Sequence, residues 1–179
     1  MLDKLNNYNI ILASKSPRRQ ELLKGIGLNF NVLTKDVDES YPSRLSVYEV
    51  APYLSLKKAK AFEDAELPDN YMIITADTIV VIGDEILGKP KDKENACEML
   101  LKLSGKKHSV ITGVTIRTKD RTTSSISSLY PIFSTCPVIS VFIPLTASSS
   151  SLIFRASFFL RLMSAVVTNI LLAHPSNDP

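Results

Sequence analysis

Ile10-Ile11-Leu12-Ala13-Ser14-Lys15-Ser16-Pro17-Arg18-Arg19-Gln20-Glu21-Leu22-Leu23 is the stretch on which the fold of this chain turns. Its apolar opening predicts a buried strand. Two serines and a proline then break the run, and helix-forming residues follow as far as Gly25. Ser16 suits an N-cap and Pro17 the first helical position, where a missing N–H costs nothing. A strand feeding a helix start leaves backbone N–H groups and the positive end of the helix dipole at the loop, which is a ready anion site. Arg18 and Arg19 on the first turn and the hydroxyls of Ser14 and Ser16 add donors suited to phosphate. Spacing alone also admits an ordinary strand–loop–helix with a solvated arginine pair.

Outward from that stretch, the chain alternates strand and helix patterns. Phe30 to Thr34 reads as a strand, followed by the acidic loop Asp36-Val37-Asp38-Glu39-Ser40. From Ser46, apolar residues recur at helical spacing through Val47, Val50, Ala51, Leu54 and Ala59. Tyr71-Met72-Ile73-Ile74-Thr75-Ala76 predicts a strand buried on both faces and ending at Asp77-Thr78. Ile79 to Ile82 resumes the apolar run, and Gly83-Asp84 reads as a hairpin turn into Glu85-Ile86-Leu87. A helix is expected over residues 93–103, closed by Ser104-Gly105, and a strand over 107–117. The order β-α-β-α-β-β-α-β predicts an α/β fold with a mixed sheet.

Composition narrows the class. The 179 residues, 45% hydrophobic, suffice for one domain or two small lobes around a cleft. A formal charge of +3 makes no case for nucleic acid. Cys97 and Cys136 show neither zinc-ligand spacing nor a disulfide framework, so a reducing compartment is the simpler expectation. The first seven residues carry no apolar signal-peptide core, which points to the cytoplasm. An internal break matters more than these averages. All six glycines lie at or before Gly113, and 17 of the 18 acids at or before Asp120. Residues 121–179 hold thirteen serines, three basic residues and one acid, Asp178. The apolar stretch from Leu152 to Ala173 contains Arg155 and Arg161, which argue against a membrane span. Two units are therefore expected, residues 1–120 and a serine-rich hydrophobic tail at 121–179. Such an abrupt break is what a shift of reading frame produces.

Several residues carry chemistry. Asp77 after a buried strand suits a metal ligand or a base that orients water for attack on phosphorus; it also suits a turn or N-cap aspartate. Glu39 is a second metal-ligand candidate or a solvated charge. Lys89, between glycine and proline, can neutralise phosphate charge, and Lys58 can do so from its helix or lie on the surface. His108 is an acid/base candidate or a structural residue at a strand start. Thr112-Gly113 marks either a close approach of a ligand to the backbone or a bulge. Phosphoryl chemistry on a nucleotide or sugar phosphate fits these residues best.

Ser14-Lys15-Ser16-Pro17-Arg18-Arg19, Asp38-Glu39, Lys58-Ala59, Ala76-Asp77-Thr78, Gly88-Lys89-Pro90, and Ser104-Gly105 through His108 to Thr112-Gly113-Val114 resemble, in order and spacing, the Maf family of nucleotide pyrophosphatases. The likeness runs from residue 8 to about 120. It implies a Maf-like (inosine triphosphatase-like) α/β fold with a nucleotide cleft between two lobes, commonly as a homodimer. It also implies metal-dependent cleavage, with magnesium or manganese, of nucleoside triphosphates to monophosphate and pyrophosphate. By that resemblance Asp77 is the proton acceptor, Lys89 is a catalytic charge stabiliser, and Glu39 and Lys58 line the site. Ser14, Arg18 and Arg19 form the phosphate cradle, with Lys58, Thr78 and Thr112 on the substrate. Thr112-Gly113-Val114 resembles the branch acting on dTTP and UTP. The family's Lys-Ala-Gly-Ala-Tyr-Gly-Ile-Gln-type and Asn-Val-x-Gly-Leu-Pro-type motifs do not occur in residues 121–179. The alternative expectation is therefore a catalytically impaired or vestigial nucleotide-binding domain.

Overall fold

The computed structural model describes Leu5 and residues 7–129. The elements are β1 (Asn9–Leu12), α1 (Pro17–Gly25), β2 (Asn31–Val32), α2 (Val47–Lys60), a 3-10 turn (Asp64–Glu66), β3 (Tyr71–Ile82), β4 (Glu85–Leu87), α3 (Lys93–Leu103), β5 (Ser109–Thr118) and β6 (Thr122–Leu129). Among the described residues they form a mixed α/β fold. Its sheet runs β2-β1-β3-β5-β6, with β4 also paired to β3. Strands β1, β2 and β3 are parallel, and the remaining pairings are antiparallel.

The chain moves outward from β1 to β2 and then crosses back over β1 to β3, so the two crossover helices lie on opposite faces of the sheet. Alternation along the strands shows this directly. Ile10, Leu12, Met72, Ile74, Val114 and Ile116 pack with Leu23 of α1. Ile79, Val81 and Ile111 pack with Val50, Ala51 and Leu54 of α2. Such a reversal of strand order opens a crevice at the carboxyl ends of β1 and β3, where α/β sheets bind ligands.

Three expectations are corrected. The strand predicted to end at Asp77 does not end there: β3 continues to Ile82, because β5 pairs with it from Met72 to Val81. The strand predicted over 30–34 shrinks to Asn31–Val32, both exposed, since it pairs with β1 over only two residues. Past Asp120, where patterning fails, Thr122–Leu129 forms a full strand on β5. Its Ser/Thr side chains alternate with little hydrophobic contrast, and the pairing comes from backbone groups that composition does not reveal. Cys136, the apolar stretch 152–173 and the rest of the tail from residue 130 lie outside the described residues.

The helices start as their sequences require. Ser46 donates from its N–H (2.9 Å) and its hydroxyl (2.7 Å) to Glu49 at the start of α2. Asp92 accepts from the N–H of Asn95 at 2.7 Å at the start of α3. Ser16 occupies the N-cap of α1 but makes no side-chain cap; its carbonyl takes the N–H groups of Arg19 and Gln20 instead. Gly83, at φ 59°, opens the two-residue β3–β4 loop, a conformation that favours glycine.

α2 lies directly on β5. A Cβ placed on Gly113 falls 2.5 Å from the carbonyl oxygen of Ala51 and inside contact of Pro52 N. The close approach that Thr112-Gly113 suggested is thus made by a helix. Beneath it, Ser55 and Thr115 share a buried hydrogen bond of 2.9 Å, and the Thr75 hydroxyl donates to the Ser55 carbonyl at 2.7 Å.

At the other end of α2, Arg117 donates to the carbonyls of Ala59 (2.8 Å) and Phe62 (2.6 Å) and pairs with Asp64. Tyr71 donates to the same carboxylate at 2.7 Å. The Tyr71 hydrogen bond and then Arg117 hold Asp64 below its ordinary value, while burial and Asp64 push Tyr71 above its own. The signs differ. A depressed carboxylate stabilises the fold above its unfolded pKa, about 3.9, and loses that contribution as pH falls through its folded value. A raised phenol stabilises below its unfolded value, about 10, and loses that as pH rises through its folded value. The denaturation midpoint is therefore expected to be level from about pH 5 to 9 and to fall on both sides, with Tyr71→Phe removing part of the alkaline fall. Chemical denaturation across pH measures this; an unchanged alkaline limb in the variant contradicts it.

Candidate active site

The site lies where β3 outruns its neighbour. β1 pairs with β3 only from Tyr71 to Ile74, and β4 pairs with it from Val80 to Ile82. Between them, the backbone edge at Ala76-Asp77-Thr78 has no strand partner on that side. Arg19 fills this gap. Its guanidinium donates to the Ala76 carbonyl at 2.8 Å, to Ser14 Oγ at 3.2 Å and to Thr78 Oγ1 at 3.3 Å. Ser14 Oγ also accepts the N–H of Ser16 at 3.2 Å, which fixes the loop entering α1. Thr78 Oγ1 and Thr112 Oγ1 lie 3.1 Å apart across the β3–β5 register. Burial lowers Arg19 from its ordinary value, and the nearby charge of Asp77 opposes that shift.

Asp77 points to the opposite face, toward α2. Lys58 Nζ lies 2.5 Å from Asp77 Oδ1 and 3.1 Å from Glu39 Oε1. These two ends are mostly covered, with Asp77 14% and Lys58 21% exposed. Lys89, on the exposed loop after β4, donates to both Glu39 oxygens at 2.9 and 3.1 Å. Hydrogen bonds from Lys89 and then Lys58 hold Glu39 below the usual carboxylate range.

Eight of the nine residues given a role by the family resemblance thus form two connected groups: Ser14-Arg19-Thr78-Thr112 and Asp77-Lys58-Glu39-Lys89. Arg18 is the ninth. It is exposed on α1 and, among the described residues, makes no hydrogen bond or ion pair. His108 stays apart, its ring 3.3 Å from the Lys106 carbonyl of its own loop. Sequence reading missed Lys15, Asp36 and Lys57, which tie the acidic loop down; their signal was the alternation of charge between that loop and the lysines before and after it.

Among the described residues no three carboxylate, histidine or cysteine side chains converge. Glu39 and Asp77 nevertheless meet on one ammonium, so the pair brackets a position that a cation holds. Two carboxylates completed by phosphate oxygens and water are a donor set that magnesium uses with nucleotides. The residues fit such an ion.

A family model described as Maf-like protein matches residues 9–133, through β6 and past the compositional break. This chain belongs to the Maf-like family. A Bacteroides thetaiotaomicron relative named dTTP/UTP pyrophosphatase is 50% identical over 121 residues, 67% of this chain and 62% of its own length. A Phocaeicola vulgatus protein of the same name is 48% identical over 119 residues, 66% of this chain and 61% of its own. A third, from Flavobacterium psychrophilum, is 47% identical over 119 residues, again with 66% and 60% covered. The chain thus spans about three fifths of the length of these relatives. Among solved structures, the Staphylococcus aureus Ham1 protein aligns over 68% of this chain and 69% of its own at 18% identity, with a TM-score of 0.48. No helix among the described residues is long and apolar enough to cross a membrane.

Proposed function

We propose that this Maf-like chain is a nucleoside triphosphate pyrophosphatase acting on dTTP and UTP, releasing the monophosphate and pyrophosphate. The observation that carries the reading is the juxtaposition, at the open edge of β3, of a guanidinium–hydroxyl cradle with Asp77, whose partner Lys58 it shares with Glu39. The names of the half-identical relatives support the same substrates.

In this reading Ser14, Arg19 and the N-terminus of α1 bind phosphate oxygens, and Arg18, exposed beside them, reaches the outer phosphates. Thr78 and Thr112 face the same side and orient the nucleotide. Asp77 takes the proton of a water that attacks the α-phosphorus; the bond from that phosphorus to the bridging oxygen breaks, and pyrophosphate leaves. Lys58 holds Asp77 in place, and Lys89 offsets charge on the leaving group. Magnesium or manganese, held by Asp77 and Glu39 with the polyphosphate, would supply further charge neutralisation.

The test is to incubate the chain with dTTP or UTP and either metal, and to separate the products. Monophosphate with stoichiometric pyrophosphate is expected; orthophosphate as first product overturns the bond assignment. A second reading, nucleotide binding without turnover, is favoured by one observation: the matched region ends at residue 133, and no glycine follows Gly113. Stabilisation by dTTP without product is its signature.

Arg19→Ala should weaken binding of a non-hydrolysable dTTP analogue about tenfold or more, as loss of a charge-assisted hydrogen bond costs about 1.5–3 kcal/mol. Arg19→Lys should recover only part, because one ammonium cannot span Ser14, Ala76 and Thr78 together. Arg18→Ala should weaken binding less. Calorimetry decides, and equal affinity for the parent and the Arg18→Ala/Arg19→Ala double variant removes the cradle.

A further inference from the structure

Between β2 and α2 the chain runs through residues 33–46 without regular helix or strand. Connections of this length inside a compact domain are usually functional. Its acidic portion is tied down by lysines from three other segments. Lys15, next to Ser14 in the cradle loop, lies 3.0 Å from Asp36. Lys57 of α2 lies 3.2 Å from Asp38 and 3.0 Å from the Ser40 carbonyl. Lys58 and Lys89 hold Glu39 between them. Four ammonium groups around the cleft are thus engaged by three carboxylates of one five-residue segment.

These pairs are unequal in strength, and the inequality gives them a function. Lys15 and Asp36 are 72% and 97% exposed. Exposed ion pairs are weak and exchange readily. The Lys58–Asp77 pair is largely shielded from water and holds more firmly. A phosphate group carries more negative charge than a carboxylate and presents three acceptor oxygens, so it outcompetes a carboxylate for an exposed ammonium.

We propose, building on the pyrophosphatase reading, that Asp36 and Asp38 are built-in competitors for polyphosphate. In the nucleotide-free chain their carboxylates occupy the lysines around the cleft. An entering triphosphate takes Lys15 and Lys57 and frees Asp36 and Asp38 while Glu39 stays in place, and the return of the two aspartates helps to expel pyrophosphate after cleavage. The ligand chemistry is the polyphosphate chain itself, with no demand on the base.

Inorganic pyrophosphate is the probe, titrated calorimetrically into the full chain and into Asp36→Asn/Asp38→Asn. The double variant is expected to bind it about tenfold more tightly, because two competing pairs are gone. In parallel, tryptic cleavage after Arg44 in the same connection should accelerate in the parent when pyrophosphate is added. In the variant it should already be fast without it. Equal or weaker affinity in the variant overturns the competitor while leaving the pyrophosphatase reading intact, and so does cleavage of the parent that pyrophosphate slows or leaves unchanged. A parent that binds neither pyrophosphate nor dTTP overturns both.

Discussion

Asp77→Asn is expected to lower kcat for dTTP and UTP by at least about a hundredfold, the usual scale for a lost general base, while leaving the thermal midpoint near the parent's. The side chain lies on the α2 face of β3, where the strand has outrun β1. Asparagine matches it in volume, and its amide oxygen still accepts from Lys58, which also keeps Glu39 as a partner at 3.1 Å. No buried ammonium is abandoned, so the fold survives. The lost charge is what would accept a proton or hold a cation. Retention of more than about a tenth of kcat, a barrier change under ~1.4 kcal/mol, would mean that another group is the base. Product assays and a melting curve on the same preparation separate loss of chemistry from loss of fold.

Gly113→Ala is expected to be the most destabilising glycine-to-alanine change among the described residues. The new Cβ meets backbone atoms of Ala51 and Pro52, which cannot rotate aside as a side chain can. Overpacking a core usually costs about 1–3 kcal/mol, and a backbone-on-backbone clash belongs at or above the top of that range. Relief requires α2 to lift from β5, which strains the Ser55–Thr115 and Thr75–Ser55 hydrogen bonds beneath it. The same movement carries Lys58 away from Asp77, so activity should fall together with stability. Equilibrium denaturation reads the effect. A midpoint unchanged from the parent shows that α2 does not seat on this glycine.

Both predictions concern residues visible in the sequence, but for different reasons. Asp77 was legible because a carboxylate after six buried residues is conspicuous, although its strand continues instead of ending. Gly113 was legible only as an anomaly inside a strand, with ligand and bulge both open; a helix on the far side of the sheet explains it. β6 was missed because its residues lack hydrophobic alternation, and its existence depends on the free edge of β5. Arg18 and Arg19 were alike in sequence, yet the helix start at Pro17 turns Arg19 to the open edge of β3 and leaves Arg18 exposed.

What the sequence determined by itself is the local structure: strand, loop and helix of the first crossover, capped helices, the β3–β4 hairpin and the Maf-like set of residues. Each rests on interactions between residues near in the chain, namely caps, turn glycines and periodic apolar faces. Tertiary structure decided how those residues meet. β1 stops at Leu12 while β3 goes on, and the helices take opposite faces of the sheet. That brings Arg19 to one side of Ala76-Asp77-Thr78 and Lys58 to the other, and stretches the acidic segment between lysines 21 positions before it and 50 after it. Such juxtapositions depend on strand register and helix seating, which arise from packing over the whole sheet and leave no mark at any one position of the chain.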